Sequence, residues 1–159
     1  MSSTILELSG VTSGSSLAAA LDGRSNILEM TQTTEDAVLK PAETGAWSHD
    51  LRAALAARIA GLNGETTLAD RYRALVSDSA LASVADPLQS GEAQGVALVC
   101  AFMDKVAANT REIEASDISE LQGAGVADAD IVRLCEINAF VSYHIRLLAG
   151  VRLMKEVLS

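Results

Sequence analysis

A chain of 159 residues, 49% hydrophobic and 21% charged, is long enough to bury one core without disulfide or metal staples, and its composition excludes a disordered or fibrous design. The net charge of -9, with Lys and Arg scattered rather than clustered, argues against nucleic acid or anionic membrane as the main partner. Aromatic residues make up only 3%, so Ala, Leu, Val and Ile must fill the core, which suits closely packed helices better than a sheet.

Residues 1–16 are rich in Ser, Thr and Gly without sustained periodicity and read as a flexible or extended arm of a single domain spanning 1–159. Ser15 or Ser16 caps a short helix over 17–22 that Gly23 ends, and a second helix over 27–39 stops before Pro41. Ser48 then precedes Leu51, Leu55, Ile59 and Leu62, spaced four, four and three, one face of a helix that Asn63-Gly64 terminates. Further helices are predicted over 66–76, with Leu68, Tyr72 and Leu75 on one side, and over 92–108, with Val96, Val99, Cys100, Met103 and Val106 facing inward. A short helix over 117–122 capped by Ser116 and a long one from Asp128 to about Leu158 complete the chain. No stretch alternates with period two, so the fold class is all-α, with about six to seven helices.

The last helix holds the residues that look most like chemistry, in the run IVRLCEINAFVSYHIR from Ile131 to Arg146. At 100° per residue Leu134, Ile137, Val141, Ile145 and Leu148 share an apolar face, while Cys135, Asn138, Ser142 and Arg146 form a neighbouring polar stripe. Cys135 and His144 are nine residues apart and point to opposite sides, so they cannot form a thiolate–imidazole pair within the helix. The only other cysteine, Cys100, belongs to no Cys-x-x-Cys pair, and both thiols read as buried, unreactive core groups; no metal site is expected. No basic-then-apolar leader and no apolar run of membrane-spanning length is visible, so a cytoplasmic location is expected.

The segment WSHDLRAALAARIAGLNGETTLADRY, Trp47 to Tyr72, resembles the central helical pair of the carboxymuconolactone decarboxylase and alkylhydroperoxidase D-like superfamily. Trp47-Ser48 is similar to that family's helix start, Arg52 to its Arg, and Asn63-Gly64 to its turn. The opening 8–19 and the closing Ile118–Val132, Ile137–Val141 and Arg146–Leu153 look like the peroxidase-related branch of the same family.

Carried across residue by residue, the resemblance places the family's two redox cysteines on Glu65 and Leu68, the His between them on Thr67, the downstream His on Tyr72 and the relay Glu on Ala53. It therefore implies an alkylhydroperoxidase D-like bundle that has lost thiol peroxidase activity, needs no cofactor, assembles as a homodimer, trimer or hexamer, and serves a binding or accessory role, with a small molecule as one candidate ligand. Two enzymatic alternatives stand beside it. One is a peroxidase-related oxidoreductase using Cys100 or Cys135. The other is cofactor-free acid–base catalysis on a small anionic or lactone substrate, for which Glu65 and Tyr72, seven residues apart on one helical face, and His49 and His144 are the candidate groups. A purely structural oligomer component is the third alternative, and the stripe Asn138, Ser142, Arg146 is the candidate pocket or interface.

Overall fold

The computed structural model describes residues 3–158; Met1, Ser2 and Ser159, which belong to the expected arm and chain end, lie outside it. Among the described residues there is no strand and there are eight α-helices: α1 Thr4–Ser9, α2 Ser16–Asp22, α3 Ser25–Leu39, α4 His49–Leu62, α5 Thr66–Arg73, α6 Ala97–Ala108, α7 Ala115–Gly123 and α8 Asp128–Leu158. The all-α class expected from the sequence is the one observed. None of these helices is long and apolar enough to cross a membrane.

The helix α4 organises the others. Ser48 caps it by accepting from the Leu51 N–H at 3.2 Å, and Gly64, at φ 75°, takes the left-handed turn that follows its end. All residues from Leu51 to Ala60 are buried, which a one-faced surface helix never achieves. Alanines at 53, 54, 56, 57 and 60 keep its outline narrow, so α5, α6, α8 and the 3₁₀ turn Ala82–Ala85 pack around it from several sides. Leu62, at the end of the predicted apolar row, is partly exposed beyond this sheath.

Three predicted boundaries are corrected. The helix expected over 66–76 stops at Arg73, and the one expected over 92–108 is divided, because Gly95 adopts φ 71° between a 3₁₀ turn Glu92–Gln94 and α6. The short helix α7 starts two residues early, capped at Glu114, whose backbone N–H donates to Asp117 Oδ2 at 2.7 Å, rather than at Ser116.

The larger correction concerns the expected flexible arm. Residues 4–9 form α1, with Ile5 fully buried in a second, smaller core of Leu17, Leu21, Leu28, Leu148 and Val151. So short a helix offers too few apolar positions for a period to show, and its stability comes from docking on α8 rather than from local preference.

Candidate functional site

Three helices bring chemistry-bearing side chains together where α3, α5 and α8 meet. Tyr72 from α5 and His144 from α8, both fully buried, are joined by a 2.7 Å hydrogen bond between the phenol oxygen and Nδ1. One turn before Glu35 on α3, Thr31 Oγ1 lies 2.9 Å from the Tyr143 hydroxyl of α8. Glu35 itself is 3% exposed, with Oε1 3.6 Å from Arg71 Nε on α5, and Arg71 reaches outward to Glu7 on α1 at 2.9 Å.

The environment fixes the protonation of this group. Burial pushes the Tyr72 phenol well above its ordinary value, reinforced by the Glu35 carboxylate, and burial with the nearby Arg71 charge pushes His144 down to about 4. At neutral pH the phenol is therefore protonated and the imidazole neutral. The phenol O–H has Nδ1 as its one partner, so it donates there, and the imidazole proton sits on Nε2. Burial also raises the Glu35 carboxyl, against the pull of the Thr4 hydroxyl and Arg71.

Three buried polar atoms in this cluster, His144 Nε2, Glu35 Oε2 and Arg71 Nε, have no hydrogen-bond partner among the described residues. Such atoms are rare in folded proteins, because an unpaired buried donor or acceptor costs about 1–3 kcal/mol. A neutral imidazole with a free N–H, backed by a phenol, can bind a small polar group or pass a proton to it.

The other sequence candidates lie elsewhere. Glu65 stands just before α5, outside the helix, and both its carboxylate oxygens take 2.8 Å hydrogen bonds from Arg152 Nη1, while Arg152 Nη2 donates to Thr67 Oγ1 at 2.7 Å. Arg152 is eight residues beyond His144, roughly 12 Å along α8, so Glu65 does not join Tyr72 in one site. The segment that the resemblance makes the thiol box is here an ion-paired anchor for α8, with Leu68 fully buried beneath it. His49 is exposed, and its Nε2 lies 2.9 Å from the Pro41 carbonyl oxygen, tying a loop to α4.

The cysteines divide. Cys100 is buried as expected, its thiol pushed up by burial, but Cys135 is exposed, correcting the expectation of a core residue; partial burial of the sulfur and the Glu136 charge raise its thiol as well. Neither setting favours a thiolate. The polar stripe of α8 does not converge on one point: Asn138 is buried and donates to the Met103 carbonyl at 2.9 Å, Ser142 is half-buried, and Arg146 is exposed. Among the described residues no group of three or more His, Cys, Asp or Glu side chains is placed to hold a metal ion.

Sequence reasoning missed Glu35 and Arg71. The signal for Glu35 was present: Leu28, Thr31, Glu35 and Leu39, spaced three, four and four, are the buried face of α3, and a carboxylate in that row is out of place unless it has a role. No family model matches the chain, and neither does any curated protein or solved structure.

Proposed function

We propose that the chain is a cytoplasmic, self-associating helical protein on the carboxymuconolactone decarboxylase-like plan that has no thiol peroxidase activity and acts as a binding or accessory subunit. The observation that carries this reading is the state of the box region, where Glu65 and Thr67 are committed to Arg152 and Leu68 is sealed in the core. A peroxidase of this type needs a low-pKa thiolate and a second thiol to resolve the sulfenic acid. Cys100 is buried and Cys135 stands alone on an outer face of α8.

The test combines thiol titration of the native protein with hydroperoxide consumption in the presence of a dithiol reductant. The expected result is slow labelling of Cys135, none of Cys100 without denaturant, and no turnover above buffer. Turnover lost in Cys135→Ser would overturn the proposal. Light scattering checks the self-association; a stable monomer would contradict it.

A second reading, acid–base chemistry without a cofactor, is favoured by the buried Tyr72–His144 pair with its free Nε2–H. Of the four acid–base candidates read from the sequence, only these two meet. Glu65, expected there, is tied to Arg152, and the carboxyl that acts electrostatically on Tyr72 is Glu35.

A further inference from the structure

A cleft of about 420 Å³ opens between α1, α2 and α3. Its apolar wall comes from Leu6, Val11, Leu21 and Leu28, of which Leu21 and Leu28 belong to the smaller core. The charged side chains along it are Asp22 at the end of α2 and Glu29 on α3, both exposed; no Lys, Arg or His lines it, and Arg24, between them in sequence, does not reach it. Neither carboxylate is held in an ion pair among the described residues.

We propose that this cleft binds a small cationic amphiphile, an ammonium group carried on an alkyl or aryl body. The four aliphatic side chains offer an apolar surface for that body, and hydrophobic contact supplies the attraction. The two unpaired carboxylates at the rim fit a positive head and repel a carboxylate one. This sign separates the cleft from the sites expected for small anionic substrates. The acidic chain as a whole, at -9, reinforces the preference at long range. One wall of the cleft is α1, whose Thr4 donates both its N–H and its hydroxyl to Gln32 Oε1 at 3.1 Å, so an occupant there bears on the element that also contacts Arg71 through Glu7. The inference gives the binding role proposed above a ligand class, yet it stands on the cleft alone: peroxidase turnover would sink the earlier reading and leave this one intact.

The test uses the full chain with hexylamine hydrochloride, sodium hexanoate and hexanol, followed by calorimetric titration and by amide shifts in NMR. Hexylamine is expected to saturate with shifts confined to α1, α2 and the first half of α3, and hexanoate to give none. The double variant Asp22→Asn, Glu29→Gln, altering two exposed side chains, should weaken hexylamine roughly tenfold, as two exposed ion-pair contacts together do. Ala18→Phe, filling the cleft from α2, should abolish binding with the melting temperature kept. Hexanoate binding as tightly as hexylamine, absence of binding by all three probes, or hexylamine binding unchanged in the double variant would overturn the proposal.

Discussion

The molecule buries charge in two places and treats it in opposite ways. On α4 the guanidinium of Arg52 donates from Nε to the Trp47 carbonyl, from Nη1 to Val38 and from Nη2 to Thr44, at 2.8–2.9 Å. Arg58 on the same helix grips both oxygens of Asp104 at 2.6 Å and reaches the carbonyls of Val84, Asp86, Pro87 and Gln89. Every nitrogen of both side chains has a partner; Arg52 holds down the segment between α3 and α4, and Arg58 the long loop between α5 and α6. Where α3, α5 and α8 meet, by contrast, His144, Glu35 and Arg71 each keep one buried polar atom unpaired. A complete network specifies structure, whereas an incomplete one leaves capacity for something else to bind.

On this contrast, the largest loss of stability comes from breaking the complete network. Arg58→Met, which leaves the Asp104 carboxylate and four carbonyls without their donor, should cost about 3–4 kcal/mol in urea unfolding at pH 7. Arg71→Met, removing a partly exposed cation that makes one exposed ion pair with Glu7 and only a loose 3.6 Å approach to Glu35, whose burial already favours its neutral form, should cost less, about 1–2 kcal/mol. Equal losses would erase the distinction between the two regions.

Next in size is an acid response. The folded value of His144 is depressed from 6.5 to about 4, so the folded chain binds its proton less readily than the unfolded chain does. The stability at stake is fully present above pH 6.5 and is lost as pH falls through that value to about 4, and a drop of this size corresponds to roughly 3 kcal/mol. Chemical denaturation at a series of pH values should show this loss, and His144→Gln should flatten it.

Smaller effects come from Tyr72 and Glu35. Tyr72→Phe keeps the ring and strips Nδ1 of its donor, which should cost about 1–2 kcal/mol by urea unfolding. Glu35→Gln has a sign that depends on pH. Because burial raises the Glu35 carboxyl in the folded state, its favourable contribution is complete below its ordinary value of 4.5 and is lost as pH rises through the raised one. The melting temperature of Glu35→Gln relative to the parent should therefore increase from pH 5 to pH 8. A constant difference would mean that Glu35 is ionised throughout and the site differs from the one described.

These predictions rest on residues that were unequally visible in the sequence. The spacing of Leu51, Leu55 and Ile59, the Ser48 cap and the Asn63-Gly64 stop were local signals, and α4 follows them. The burial of α4 on all sides was foreshadowed only by its alanines, and the roles of Arg52 and Arg58 not at all, because their acceptors are loop carbonyls and one aspartate on a different helix. Tyr72 and His144 were each singled out, but their bond joins residues 72 positions apart, a distance that helical periodicity cannot span. Glu65 was paired with Tyr72 on helical spacing; the backbone before α5 is not helical, and the carboxylate turns to Arg152 instead.

The state of His144 bears on the comparison most directly. A two-dimensional ¹H–¹⁵N experiment on the imidazoles of labelled protein, titrated from pH 8 to pH 4 with His49 as the second signal, separates the possible states. The account predicts a neutral His144 protonated at Nε2 and accepting at Nδ1, with protonation only near pH 4. A His144 that titrates at the ordinary value of 6.5, or that carries its neutral-state proton on Nδ1, would contradict it.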